Sequence, residues 1–288
     1  MKHAYLIIAH NEFWLLQQLI QVLDDSRNDI FIHFDKKLAA YPTLSTQHAG
    51  LSIIEQRIDV RWGDVSVVEA EYALFEAAIR QGKYAYYHLL SGVDLPLRSQ
   101  DDIHRFFEHH QGKEFIGFSQ YDYQSEVDRK VCRYHLYPRD FRPTTQPISI
   151  AKKIIRALCL RAQFLLHIQR NKHITFKKGT QWISITDEFV RYIVSQKEEV
   201  LRIYQNTFCS DEIFVQTLCW NSKFRELIFN ASDEAQGCMR KIGWKNGQLI
   251  NWTDTDYEEL MNSGMIFARK FSETNKLLID KILCKIKQ

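Results

Sequence analysis

Short apolar runs alternate with segments of helical periodicity through the first hundred residues of the chain. The predicted strands and helices are, in chain order, strand 5–9, helix 12–23, strand 30–34, strand 51–55, helix 65–80 and strand 84–90. This alternation is typical of a mostly parallel sheet covered by helices. The sequence therefore predicts an α/β fold with a mostly parallel central sheet flanked by helices.

Composition places the chain among ordinary globular proteins. It has 288 residues and a mass of 34.2 kDa, with 45% hydrophobic and 25% charged residues, which is enough for a substantial core. A formal net charge of only +3 gives no indication of general affinity for nucleic acid. The apolar run within residues 1–10 is too short for a signal peptide or a membrane span. We therefore expect a cytoplasmic protein.

The six cysteines show neither a CxxC pair nor metal-ligand spacing. Reduced thiols are the default for a chain without an export signal. The sequence predicts no zinc site.

Polar residues follow three of the predicted strands. His10 and Asn11 follow the first strand, residues 35–37 (Asp-Lys-Lys) the second, and residues 91–94 (Ser-Gly-Val-Asp) the last. Ligands in sheets of this kind bind outside the carboxyl ends of the strands. The pattern favours a binding site along one edge of the sheet, with turn formation as the alternative for each residue.

A candidate general base lies in the second half of the chain. Ser210 and Asp211 are good N-cap residues, and apolar residues at 213, 214, 217 and 218 follow with helical spacing. Glu212 is thus expected in the first turn of a helix, where the helix dipole favours a negative charge. It can act as a general base or, alternatively, simply cap the helix.

Residues 141–186 contain no aspartate or glutamate, although lysine and arginine recur throughout them. Within 148–169 these cations alternate with isoleucine, leucine and phenylalanine, which predicts one or two basic amphipathic helices. Such helices lie on anionic membrane surfaces. The alternatives are a helix that packs its apolar face on its own domain and, less favoured, an RNA-binding segment.

Several segments match one known family in the same order along nearly the whole chain. They are residues 5–10, 32–37, 62–63, 90–97 (LSGVDLPL), 178–182 (KGTQW), 210–212 (SDE) and 267–271 (FARKF). On these segments the chain resembles the core-2/I-branching β-1,6-N-acetylglucosaminyltransferases, a family with xylosyl- and glucuronosyltransferase-like members.

The resemblance implies a GT-A-type fold and inverting transfer of a sugar from a UDP-sugar to an acceptor hydroxyl, without a divalent metal or other cofactor. Glu212 corresponds to the catalytic base of the family, and Lys270 and Arg240 to the cations that contact the UDP diphosphate. The expected remaining contacts are Ile8, Ala9, His10, Asp35, Lys36 and Lys37 for uridine and ribose, and Asp94, Trp182 and Asp211 as site-lining residues.

These residue types suit the reaction. An inverting transfer needs one base for the proton of the incoming hydroxyl and compensation for charge on the leaving diphosphate. Asp254-Thr255-Asp256 is the alternative, a metal-binding D-x-D, although it follows the Glu212 helix instead of an early strand.

We expect one glycosyltransferase domain over 1–288. It comprises a nucleotide-sugar-binding half (1–120), a basic helical insertion (121–178) and an acceptor and catalytic half (179–288). N-acetylglucosamine is the leading donor sugar and xylose the alternative. The expected acceptor is a glycan or a lipid-linked glycan, with peripheral contact to the anionic inner membrane face through 148–172 and no nucleic-acid partner. A non-catalytic glycan-binding or membrane-peripheral protein is the other reading.

Overall fold

The central sheet is centred on strand β1 (His3–Ala9), which is hydrogen-bonded to a parallel strand on each side. The computed structural model describes residues 1–142 and 144–287, so positions 143 and 288 of the predicted insertion and catalytic half lie outside it. Across the sheet the strands are β3 (Gly50–Ile53), β2 (Asn28–Phe34), β1, β4 (Tyr86–Ser91) and β6 (Ser184–Thr186). All are parallel except β6, which pairs antiparallel with β4. This arrangement confirms the predicted α/β class with a mostly parallel sheet.

The helices and strands follow the predicted alternation closely in the first hundred residues. The strands are β1 His3–Ala9, β2 Asn28–Phe34, β3 Gly50–Ile53, β4 Tyr86–Ser91, β5 Leu95–Pro96, β6 Ser184–Thr186, β7 Arg240–Ile242, β8 Trp244–Lys245, β9 Gln248–Leu249 and β10 Phe267–Arg269. The helices are α1 Phe13–Leu23, α2 Ser66–Gln81, α3 Gln100–His109, α4 Gln124–Val131, α5 Pro147–Leu165, α6 Asp187–Ser195, α7 Lys197–Tyr204, α8 Phe214–Trp220, α9 Glu234–Cys238, α10 Tyr257–Met261 and α11 Lys276–Ile286.

The two faces of the sheet are covered by different helices. Side chains alternate along β1, so Tyr5 and Ile7 pack into one hydrophobic cluster with α1, α3 and α11. Leu6 packs into the other cluster, with α2, α6 and α8. Because both faces are buried, the central strands consist of nearly continuous apolar residues.

A second, smaller sheet brings the end of the chain to the carboxyl end of β4. Its order is β5-β10-β7, with β10 antiparallel to β5 and parallel to β7. Since β5 follows β4 after a short turn, the residues after β10 come to lie beside the strand ends of the central sheet.

The predicted basic helix is present as α5, but it does not pack its apolar face on the domain. The side of α5 that faces the protein makes its contacts through Lys152, Arg156 and Gln163, with Cys159 and Leu160 half-buried beside them. Gln163 is the one described residue of this helix that is buried. Ile154, Leu158 and Leu165 are exposed by 54%, 58% and 75%. The packed-helix alternative is therefore wrong, because hydrogen bonds of the polar face hold the helix in place.

Candidate active site

The polar residues after β1, β2 and β4 meet at one edge of the sheet, as predicted. The backbone N–H of Asp35 donates to the carbonyl of Ala9 over 3.1 Å, and that of Gly92 donates to the carbonyl of Ile8 over 3.0 Å. Ala9 is buried and His10 is exposed. The three predicted strand ends therefore form one continuous rim.

Asp35 and Lys37 form an ion pair on this rim. The Lys37 Nζ lies 2.7 Å from Asp35 Oδ2 and 3.2 Å from Asp59 Oδ1, while Lys36 is exposed. A cavity of about 600 Å³ opens beside them, and its lining residues include Lys36, Lys37, Arg57, Asp59 and Arg139. The second predicted strand end thus borders an open, mostly basic depression.

The pKa of His10 is influenced by charged residues of the strand-end rim and by Lys270. Partial desolvation lowers the pKa of His10, the carboxylate of Asp35 opposes this shift, and the cations of Lys270 and Lys37 reinforce it. The predicted diphosphate lysine therefore shares one electrostatic environment with the predicted uridine and ribose residues.

Backbone contacts hold the segment that carries Lys270. Trp252 donates from its backbone N–H to the carbonyl of Lys270 over 2.9 Å and from its indole Nε1 to the carbonyl of Arg269 over 2.7 Å. The N–H of Phe271 donates to the carbonyl of Val93 over 3.0 Å. Lys270 itself is partly exposed, so the chain is fixed on both sides of a side chain that can reach solvent.

Asp94 and Trp182 lie in a buried layer beneath this segment. Arg269 Nε is 3.3 Å from Asp94 Oδ1, and its guanidinium lies 4.1 Å from the centre of the Trp182 ring. Burial raises the pKa of Asp94, although Arg269 and the hydroxyl of Ser91 oppose the shift. Both residues were predicted to line the site, and the structure places them where they position Arg269.

Arg240 is buried under the small sheet and is only 1% exposed. Its guanidinium donates to the carbonyls of Cys238 and Ile183 and, over 2.9 Å, to Ser184 Oγ. Desolvation lowers the pKa of Arg240 to about 10. Its contact with a diphosphate stays a prediction, and in this conformation that contact requires the guanidinium to be uncovered.

Glu212 does not lie in the first turn of a helix, so the predicted cap is wrong in detail. Ser210–Glu212 form a separate 3₁₀ turn, and α8 begins only at Phe214, after Ile213 with φ −131°. Neither Ser210 nor Asp211 caps α8 with its side chain. The turn is instead held by Gly179, whose N–H donates to the carbonyl of Glu212 over 2.9 Å.

The carboxylate of Glu212 lies between two ammonium groups. Its Oε2 is 3.2 Å from Lys130 Nζ and 3.8 Å from Lys178 Nζ. Glu126 joins the cluster 2.7 Å from Lys130, and its other oxygen accepts from the hydroxyl of Tyr121 over 2.9 Å. Burial disfavours the charge on Lys130, yet Glu212 and Glu126 raise its pKa overall. The Glu212 side chain keeps 38% of its exposure and can therefore reach a ligand.

A buried pair of carboxyl groups lies next to this cluster. Glu71 of α2 is fully buried, and its Oε1 accepts from Gln181 Nε2 over 2.7 Å. Burial and then Asp211 raise the pKa of Glu71, while burial and then Glu212 raise that of Asp211 to about 7. Asp211, predicted to line the site, therefore links Glu212 to a carboxyl group inside the protein.

Residues 138–142 connect the strand-end rim to the Glu212 cluster. Arg139 lies 2.6 Å from Asp59 on the rim side, and the Phe141 ring packs 4.5 Å from the Phe208 ring on the other side. Gly63, at φ +79°, backs onto Phe208, where a Cβ would come within 2.5 Å of the ring. The Trp-Gly pair of the sequence thus supports the loop that leads to Glu212.

Candidate metal ligands in the described part of the chain include the carboxylates of the predicted D-x-D alternative. Residues 1–142 and 144–287 contain no cluster of three or more histidine, cysteine, aspartate or glutamate side chains arranged to hold an ion. Asp254 and Asp256 lie in a 3₁₀ turn, where Asp256 Oδ2 accepts from the N–H and hydroxyl of Thr253 over 2.8 Å each. The D-x-D alternative therefore has one of its carboxylates engaged in a helix cap.

Several residues of this site were missed by sequence reasoning, among them Glu126, Lys130 and Glu71. Glu126 and Lys130 are separated by four positions, the spacing of a helical ion pair, and this was the available signal for them. Glu71 occupies a position of α2 that the helical period assigns to the core, among Val67, Leu74 and other buried residues. A charged residue at such a position indicates a function or a buried partner.

An α/β fold of the GT-A glycosyltransferase type carries this site at the carboxyl ends of its parallel strands. Residues 3–268 match the sequence model of the Core-2/I-Branching enzyme family. The chain therefore belongs to the Core-2/I-branching enzyme family, which confirms the resemblance inferred from the sequence.

Two curated relatives bear names of the same enzyme class. The chain is 20% identical over 271 residues to xylosyltransferase sqv-6 of Caenorhabditis briggsae, covering 84% of this chain and 31% of that protein. It is 27% identical over 205 residues to β-glucuronosyltransferase GlcAT14A of Arabidopsis thaliana, covering 67% of this chain and 40% of that protein. The chain thus spans about a third of the length of these relatives. Both relatives are named as glycosyltransferases.

Proposed function

We propose that this protein is an inverting, metal-independent glycosyltransferase that moves a sugar from a UDP-sugar to a hydroxyl of a glycan acceptor. The observation that carries the proposal is the partly exposed carboxylate of Glu212, held 3.2 Å and 3.8 Å from the ammonium groups of Lys130 and Lys178. These contacts hold a carboxylate that solvent reaches, where it can take the proton of a hydroxyl nucleophile.

In the proposed reaction Glu212 takes the proton of the acceptor hydroxyl as its oxygen forms a bond to the anomeric carbon. The bond from that carbon to the diphosphate oxygen breaks on the opposite face, and its electron pair leaves with UDP. Lys270 neutralises the charge that grows on the diphosphate. This role is supported by the position of the next residue, Phe271, whose backbone N–H donates to the carbonyl of Val93 after β4 over 3.0 Å.

N-acetylglucosamine is the donor sugar that we propose first, from the family resemblance. Xylose is the second candidate, because one of the relatives is named as a xylosyltransferase.

We place the reaction in the cytoplasm. The six cysteines, none of which is paired in a disulfide, support a reducing compartment.

The test is release of UDP from a panel of UDP-sugars, namely UDP-N-acetylglucosamine, UDP-xylose and UDP-glucuronic acid. We expect one donor to be hydrolysed slowly in water and faster with a glycan acceptor, at a rate that excess chelator leaves unchanged. Loss of activity in chelator would instead support Asp254 and Asp256 as metal ligands. Calorimetry that detects no binding of UDP would contradict the proposal and favour a non-catalytic glycan-binding protein.

A further inference from the structure

Helix α5 carries most of the exposed large apolar side chains that the helices of the described chain present. Its exposed side chains include Ile150, Ile154, Leu158, Phe164, Leu165 and Leu166, and we call this set the α5 apolar face. Three of them, Phe164, Leu165 and Leu166, keep 68%, 75% and 70% of their exposure. Contiguous apolar surface of this kind marks an interaction site in a soluble protein.

Polar contacts on the opposite side of α5 hold this face outward. Lys152 forms an ion pair of 2.7 Å with Asp140, and Arg156 donates to backbone carbonyls, including that of Leu136 over 3.0 Å. Gln163 exchanges two hydrogen bonds of 2.8 Å with the backbone of Tyr134. The orientation is the reverse of that of an ordinary surface helix, which buries its apolar face and exposes its polar face.

The charged residues of α5 and of the sequence next to it, within residues 141–186, are all positive. Residues 141–186 contain no acidic residue, and Lys153 and Arg161 are exposed on α5 itself. Lys152 and Arg156, which the sequence also assigned to a membrane contact, are turned toward the protein instead. By helical spacing Arg161 lies within the α5 apolar face and Lys153 lies at its edge. An apolar face that carries exposed cations is complementary to a surface with anionic groups over an apolar interior.

We propose that α5 docks on an anionic lipid bilayer, with its apolar face in the headgroup boundary and Lys153 and Arg161 among the phosphates. A second copy of the chain fits this face less well, because a two-fold contact would bring the same cations together. The helix lies on the bilayer surface. No helix within the described residues is long and apolar enough to cross it.

Docking through α5 also orients the candidate active site. The Arg156 guanidinium lies 4.5 Å from the centre of the Phe141 ring, which packs against Phe208, two residues before the Glu212 turn. The Glu212 cluster therefore lies close behind the docked helix, where it can meet an acceptor carried on a lipid. This consequence for the acceptor rests on the proposed function, whereas the docking itself does not.

The experiment is co-sedimentation with vesicles of neutral phosphatidylcholine, with or without one third phosphatidylglycerol, at low and high salt. We expect binding only to the anionic vesicles, and binding that salt weakens. The double variant Lys153→Gln/Arg161→Gln should bind about thirtyfold more weakly, since each of the two cations near the surface contributes about fivefold. Its matched control, Lys281→Gln/Lys285→Gln on α11, removes the same charge elsewhere and should bind like the unmodified protein.

A second pair of variants tests the apolar contact. Leu158→Gln/Leu165→Gln should lose vesicle binding, while Leu249→Gln/Leu277→Gln, at exposed positions outside α5, should retain it. Failure of the unmodified protein to bind anionic vesicles at low salt would overturn the proposal. Self-association that Leu158→Gln/Leu165→Gln abolishes, without vesicle binding, would assign the face to a dimer. Hydrolysis of the UDP-sugar by the same variants reports separately on the proposed function.

Discussion

Glu212 shares its two cationic neighbours with Glu126, which lies 2.7 Å from Lys130 and 3.7 Å from Lys178, but the Glu212 side chain is more exposed, at 38% against 26%. Glu71 is fully buried, and Asp211 has a buried oxygen without a hydrogen-bond partner. Glu126 is paired with Lys130 and accepts from Tyr121. At the scale of single residues, Glu212 is therefore the more accessible of the two carboxylates that contact both lysines, and its oxygens accept no hydrogen bond from Tyr121.

We predict that Glu212→Gln binds UDP within about twofold of the unmodified protein but loses about a hundredfold or more in turnover. The amide keeps a similar shape but cannot accept the proton. Calorimetry with UDP and a steady-state transfer assay measure the two quantities. Glu126→Gln is the matched control, because it neutralises a second carboxylate of the same cluster and should cost far less. Equal losses in both variants would contradict the assignment of the base.

At the scale of elements, β10 and the residues after it carry two adjacent cations into different environments. Arg269 ends β10 and turns to Asp94 and Trp182, whereas Lys270 is partly exposed toward the strand-end rim. Arg240 of β7 lies opposite Phe267 of β10 and is buried. The small sheet thus separates one accessible cation from two that stabilise its packing.

Lys270→Ala should weaken UDP binding by about tenfold and UMP binding less, because UMP lacks the second phosphate. Its thermal unfolding should change little, since Lys270 is partly exposed.

Arg240→Met should lower the free energy of unfolding by roughly 2–4 kcal/mol, because it leaves buried acceptors unpaired. Titration of each variant with both nucleotides and denaturant unfolding provide the measurements. Weaker UDP binding by Arg240→Met with unchanged stability would instead support the predicted diphosphate contact of Arg240.

At the scale of the whole molecule, stability depends on the pH through the buried carboxyl groups. Burial raises the pKa of Glu71, and burial together with Glu212 raises that of Asp211 to about 7. The folded state therefore retains protons that the unfolded state releases above about pH 4. The contribution of this pair to stability is complete below that pH and declines as the pH rises toward 7.

Glu71→Gln should reduce this decline, because an amide has no proton to release. We expect its melting temperature to fall less than that of the unmodified protein between pH 5 and 8, by a few degrees. Thermal unfolding at several pH values is the measurement. Glu69→Gln, at a partly exposed position on the same helix, is the control and should leave the pH dependence unchanged. Parallel pH curves for Glu71→Gln and the unmodified protein would exclude this contribution.

The central sheet and the meeting of its strand ends could be predicted from the sequence, because each depends on local periodicity and on a general rule for parallel sheets. The cluster around Glu212 could not, since Lys130 and Lys178 approach it only through tertiary packing. The orientation of α5 was equally inaccessible. A helical pattern of apolar and basic residues is the same whether the apolar face turns inward or outward, and the deciding contacts lie at Tyr134 and Asp140.

The position of β6 bears on how the chain folds during synthesis. Strand β4 ends at Ser91, yet its antiparallel neighbour begins only at Ser184. At about 5–20 residues per second, translation of the intervening segment takes roughly 5–20 s. During that interval the nascent chain can pair β1, β2, β3 and β4, but the outer edge of β4 has no strand to complete it. An unpaired edge of this kind is a template for aggregation, so the chain is exposed to aggregation at β4 until β6 is synthesised.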